Sequence, residues 1–130
     1  MTKKAIIKLI PLLLLTALTC ACATAKTVNT DWAGEYSGTI PAADCPGIDV
    51  KLTVNADFTY ELFYSYIDRE HRIKTTGTFR LNKEGSTIIL SAQNGPAFYR
   101  IGKDYLQQLD IKGKEIKGEF ASMYILTKSN

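Results

Sequence analysis

The chain has 130 residues, 45% of them hydrophobic and 22% charged, with a formal net charge of +3. That length holds one core and no second domain of ordinary size. Lys3, Lys4 and Lys8 account for the whole charge excess, and the remainder balances 13 basic against 13 acidic side chains, which excludes a phosphate-tracking nucleic-acid binder.

Those three lysines form a basic head. Leu9 to Leu18 follows, apolar apart from Thr16. A basic head, a short apolar run and small residues behind it describe an export signal. The run is too short for a bilayer-spanning helix of about 20 residues, and no later segment approaches that length. Thr19-Cys20-Ala21-Cys22 resembles a relaxed bacterial lipobox, with Cys22 taking the lipid and becoming the new N-terminus. Thr19 stands where leucine is favoured, and Cys20 is the poorer candidate because Thr19 precedes it. The alternative is ordinary cleavage after Ala23 or Ala25. We expect a signal at 1–21, a small polar tether at 22–29 and one domain at 30–130. No aspartate follows Cys22, so in a diderm host the expected place is the outer membrane, facing the periplasm. Ordinary cleavage would instead leave a secreted or periplasmic soluble protein. Several acyl chains on one cysteine would give stable anchoring.

Within the domain the period is two almost everywhere. The first strand ends at Pro41-Ala42-Ala43-Asp44-Cys45-Pro46-Gly47-Ile48, the densest punctuation in the chain. Pro41 fixes φ and removes a donor, and Pro46 pushes Cys45 towards an extended conformation. Gly47 allows a positive φ or a close backbone approach. Val50, Leu52 and Val54 then alternate with Lys51 and Thr53. Phe58, Tyr60, Leu62, Tyr64 and Tyr66 share a face, as do Ile73, Thr75, Gly77, Phe79 and Leu81. Shorter strands are expected at Ile88–Leu90, Phe98–Ile101, Tyr105–Leu109, Glu115–Phe120 and Tyr124–Thr127. Turn residues separate them at Asn55-Ala56-Asp57, Asn82 to Gly85, Asn94-Gly95-Pro96, Gly102-Lys103 and Lys112-Gly113-Lys114. Eight or nine short strands joined by tight turns predict an all-β domain, an antiparallel meander closed into a small barrel. A two-sheet sandwich is the alternative.

Chemistry-bearing residues are few. Asp44, Cys45, Pro46 and Gly47 form a stiff loop at the barrel rim. If Cys22 is acylated, Cys45 is a lone thiol; if Cys22 survives cleavage, a Cys22–Cys45 disulfide is open to it. A carboxylate beside Cys45 would disfavour its thiolate. Cys45 is a weak metal candidate, and Cys45, His71 and Met123 would suit Cu(I) as soft ligands, but no spacing gathers them. His71 sits in the charged turn Asp68-Arg69-Glu70-His71-Arg72 and reads as a solvated hairpin tip. Tyr36, Tyr60, Tyr64, Tyr66, Tyr99 and Tyr105 would line an apolar ligand cavity or fill the interior. No Ser–His–Asp set, carboxylate pair or phosphate-cradling glycine loop is present, so no enzyme and no cofactor are expected.

Gly34-Glu35-Tyr36-Ser37-Gly38-Thr39-Ile40-Pro41 followed by Ala43-Asp44-Cys45-Pro46-Gly47-Ile48 resembles the opening of the NlpE N-terminal domain family of bacterial envelope lipoproteins. The similarity continues through Asp57-Phe58-Thr59-Tyr60, Gly77-Thr78-Phe79, Ile88-Ile89-Leu90, Tyr99, Leu106 and Leu109-Asp110, with Gly113 and Ile116 behind. The resemblance implies a lipocalin-like barrel on a lipid tether, with a role in envelope stress signalling, surface sensing or copper tolerance through an envelope signalling protein. A carrier of a small apolar ligand is the alternative. The family's loop has a Cys-x-x-Cys pair, and Ala42 stands at the first of those positions, so dithiol redox chemistry and two-thiolate copper binding do not simply carry over. Longer members add a C-terminal OB-type domain with further cysteines, which we do not expect in a chain that ends at Asn130.

If Cys22 is the lipidated residue, Cys22→Ser abolishes lipid attachment and leaves precursor or releases soluble protein. Radiolabelled palmitate incorporation that survives the substitution would refute the assignment.

Overall fold

The computed structural model describes residues 29–129; the signal, Cys22 and most of the tether lie outside them. Eight strands run in chain order as β1 (Gly34–Ile40), β2 (Ile48–Val54), β3 (Thr59–Tyr66), β4 (Arg72–Leu81), β5 (Thr87–Leu90), β6 (Ala97–Ile101), β7 (Tyr105–Gln108) and β8 (Ile125–Lys128). Each pairs antiparallel with the next, and β8 returns to β1, so the sheet is a closed barrel. The meander expected from the alternation is the architecture found, and the sandwich is not. No helix among the described residues is long and apolar enough to cross a membrane.

Closure is narrow. β1 is in register with β8 only at Tyr36↔Lys128 and Ser37↔Thr127, with Ser129 N–H donating to Glu35 O beside them at 2.8 Å. Gly38 permits it: a Cβ there would sit 2.5 Å from the Ile125 carbonyl oxygen and 3.1 Å from Leu126 Cδ2, closer than packed atoms allow.

The inward positions fill the interior. Tyr36, Val50, Leu52, Val54, Tyr60, Leu62, Phe79, Ile88, Leu90, Tyr99, Leu106 and Leu126 are all buried, including the expected Val50, Leu52 and Val54 on β2 and Phe79 on β4. Trp32 plugs one end, where its ring meets Phe79 edge-on at 5.3 Å and Phe58 at 5.6 Å. The chain enters at this end, beside the turns Asn55–Phe58, Asn82–Ser86 and Gly102–Asp104. Lys128 is tied here too, its Nζ donating to the Asp31 carbonyl at 2.7 Å and its N–H to Asp104 O at 2.8 Å. The connections 41–47, 67–71, 91–96 and 109–124 lie at the opposite end.

Three expectations are corrected. Glu115–Phe120 is not a strand. It makes one bridge, Leu109↔Glu115, and Gly118 at φ 118° then breaks the pleat before a 3-10 helix at Ala121–Met123. Phe58 does not open β3: it holds φ 66° in the turn, its N–H donating to Asn55 O at 3.0 Å, and its ring packs on Trp32. Ile73 is not buried like Phe79 on its face but 37% exposed, because the β3–β4 hairpin outruns β5, which pairs with β4 only at Phe79, Arg80 and Leu81.

The long β7–β8 connection folds over the outside of β5 and β6. Ile89 and Leu109 are buried although neither belongs to the interior cluster, and Gly113 lies against the Phe98 ring. The Asp110 carboxylate pins this turn by accepting the N–H groups of Lys112 and Lys114, each at 2.8 Å. Those bonds, that of Lys114 foremost, hold its carboxyl below the usual aspartate value.

Leu52 is fully buried, so Leu52→Ala should destabilise the domain by about 2–5 kcal/mol in urea unfolding. A loss within about 0.5 kcal/mol, the surface range, would place Leu52 on the wrong face.

Candidate functional rim

The loop between β1 and β2 carries the sequence candidates, and the β3–β4 turn clamps it from the side. Arg69 Nη2 donates to the Asp44 carbonyl oxygen at 2.7 Å, and Arg69 Nη1 lies 3.3 Å from Asp44 Oδ2. Ile67 N–H donates to Gly47 O at 3.0 Å. The same carbonyl accepts the Cys45 thiol at 3.2 Å. Gly47 is buried, and a Cβ there would approach Thr39 Cγ2 to 2.9 Å and the Ile40 carbonyl oxygen to 3.3 Å. Of the two reasons for a glycine at this position, close approach is the one that applies, since Gly47 is not among the positive-φ glycines. The ion pair is solvent-exposed and worth at most about 1 kcal/mol; the backbone bonds and the packed glycine do more to stiffen the loop.

Cys45 is half-buried and has no disulfide partner among the described residues. Asp44 faces Arg69 and Pro46 is exposed. His71 is exposed, its ring 5.2 Å from that of Tyr66. Met123 is 43% exposed on the β7–β8 connection. The fold brings Cys45, His71 and Met123 to one end of the barrel. Among the described residues, however, no group of three or more His, Cys, Asp or Glu side chains gathers as a metal site would require.

The tyrosines divide. Tyr36 donates its hydroxyl to the Trp32 carbonyl at 2.8 Å and Tyr60 to the Ser91 carbonyl at 2.6 Å, so both fill the interior and staple it. Tyr99 is fully buried with no hydrogen-bond partner for its hydroxyl. Burial first, then the neighbouring Tyr64 phenol, pushes it well above the ordinary tyrosine value. Tyr64 and Tyr66 are half-buried towards the open end, and Tyr105 is exposed.

The grooves lie on the outside or at the ends of this packed body. One of about 620 Å³ runs over the outer face of β1 to β4, past Thr39, Asp49, Lys51, Phe63 and Arg72. A second of about 900 Å³ lies at the Trp32 end beside Asp31, Glu84, Lys103 and Lys128. A third of about 640 Å³ separates β4 from the β5–β6 turn. The long β7–β8 connection adds exposed apolar side chains at the rim: Ile111 at 86%, Phe120 at 55% and Met123 at 43%.

Sequence reasoning missed Arg69. It was visible only as one charge among four in a solvated turn, and nothing local shows that β3 and β4 carry that turn alongside Asp44.

The NlpE N-terminal domain family matches residues 36–119. The crystal structure of a lipoprotein from Shewanella oneidensis superposes with a TM-score of 0.69 at 39% identity, covering 75% of this chain and 89% of that one. The 17 kDa lipoprotein of Treponema pallidum is 27% identical over 110 residues, 74% of this chain and 69% of its own length. The Cpx pathway activator NlpE from Escherichia coli has a TM-score of 0.58 at 25% identity over 67% of this chain. The chain spans 47% of that crystallised protein and 37% of the full lipoprotein NlpE. With a family match over most of the barrel and the same fold in both solved structures, this chain belongs to the NlpE N-terminal domain family.

Proposed function

We propose that this protein is a non-enzymatic envelope lipoprotein, anchored through Cys22 in the outer membrane and facing the periplasm. It acts through a protein partner in an envelope stress, surface-sensing or copper-tolerance response. One observation carries the reading. The chain enters at the Trp32-plugged end, so the stiffened 41–47 loop and the apolar β7–β8 connection are presented at the end away from the tether. The interior is occupied by its own side chains, so what the domain offers is surface, and no observation favours the carrier reading. Two relatives are named lipoproteins and one is a Cpx pathway activator, which supports the anchor and the class of response.

The test is expression of the full chain in an Escherichia coli strain lacking its own NlpE, with a Cpx-pathway reporter. The native chain should raise the reporter several-fold. Arg69→Glu, which opposes Asp44 with a like charge, should reduce that rise at an unchanged envelope level. No rise with the native chain at matched levels sinks the proposal.

Copper enters the response without tight binding to this domain. Cys45 supplies one thiol, already engaged with Gly47 O, where a second soft ligand would be needed at Ala42. In competition with a chromophoric Cu(I) chelator, the native chain should bind weakly or not at all, and Ala42→Cys should bind markedly better. Tight one-to-one binding by the native chain that disappears in Cys45→Ser would mean that Met123 or His71 converges on the thiol.

A further inference from the structure

Among the described residues, no strand fills the lane beside β4 where β5 leaves it. The two strands pair only at Phe79, Arg80 and Leu81, and their last bond is Ser91 N–H donating to Thr78 O at 3.0 Å. Phe79 N–H donates to Phe58 O on the other side. Odd-numbered β4 residues therefore turn their backbone groups to β3, and even-numbered ones turn theirs to the lane of β5. It follows that the N–H and C=O groups of Arg72, Lys74 and Thr76 have no backbone partner among the described residues.

An edge of this kind is a template for another strand. Natural proteins guard such edges with lysine, but here Lys74 is drawn back over β3. Its Nζ lies 3.4 Å from Glu61 Oε1 and 5.2 Å from the centre of the Phe63 ring, which leaves the edge clear. Ile73 and Thr75 point inward with Phe79, and Ile73 is 37% exposed because nothing continues the barrel over it. The groove of about 640 Å³ occupies this lane, walled by Lys74, Thr75 and Thr76 on one side and Ser91 to Asn94 on the other. That far wall carries no charge, and Arg72 has no ion pair among the described residues.

We propose that this edge takes up an extended, acidic segment of a partner protein as an added strand, antiparallel to β4. Its backbone bonds to Arg72, Lys74 and Thr76. Its outward acidic side chains lie over Arg72 and Lys74, and its inward apolar ones cover Ile73. Main-chain bonds give such a complex its affinity and alternate side chains its specificity. The inference names a mode of contact and stands without the signalling reading.

The probe is a capped seven-residue peptide of alternating Glu and Val, added to the full chain as the cell processes it, with amide hydrogen exchange read by NMR. The Lys74 and Thr76 amides should exchange freely alone and at least tenfold more slowly when saturated. Thr76→Pro removes a donor the barrel does not use and should weaken binding at least tenfold at unchanged Tm, whereas Thr76→Val should not. The same peptide N-methylated on its edge-facing residues should fail to bind, whatever the fate of the proline variant. A peptide of alternating Lys and Val should bind at least tenfold more weakly. Amides already protected without peptide, no slowing at millimolar peptide, full binding by the N-methylated peptide, or equal binding of the lysine peptide would each overturn the proposal.

Discussion

An eight-stranded barrel encloses about as much room as its inward side chains can fill, and this constraint governs the molecule. Filling so narrow a space with aromatics brings polar atoms inside. Tyr36 and Tyr60 each deliver a hydroxyl to a backbone carbonyl, of Trp32 and Ser91, so both rings serve as core, Tyr36 pinning the Trp32 plug four residues back and Tyr60 reaching across to a distant segment. The Tyr99 hydroxyl and the Trp32 indole N–H are the exceptions, buried with no partner among the described residues. With the inside occupied, recognition moves to loops, edges and outer grooves.

Much of this was legible along the chain. Strict alternation at Val50, Leu52, Val54 and Phe79 identified the inward face, because a period of two admits one buried side. The asparagine, aspartate and glycine clusters marked the turns for the same local reason. Three failures share a cause, which is that period two reports a pleat and not its neighbours. Glu115–Phe120 has the composition of a strand but lacks a lane to pair in. Phe58 keeps the parity of β3 while its ring is taken by the Trp32 plug. Ile73 keeps the parity of β4 but lies beyond the end of β5. The Asp44–Arg69 clamp and the open edge were invisible for the same reason, since both depend on where two hairpins end relative to one another.

The two ends of the barrel differ in kind. The end where the described chain begins is sealed by Trp32, Phe58 and Phe79 and laced by Lys128. The other carries the Gly47-centred loop, the projecting β3–β4 hairpin and the long β7–β8 connection. The NlpE N-terminal domain family match, residues 36–119, spans seven of the eight strands and the connections at both ends. Around Ala42 and Cys45, the loop is held by the packed Gly47 and by Arg69 on the Asp44 carbonyl.

The narrow seam between β1 and β8 bears on how the chain reaches its native state. Every other pairing joins neighbours in sequence, so seven hairpins can form as the chain emerges. The seam joins the first strand to the last. Until β8 arrives, β1 shows one unpaired side, and the interior is open along its length. A protein built this way completes its core only once β8 has emerged and reached β1. Loss of β8 alone would leave an open, adhesive sheet, because the defect exposes both seam edges together.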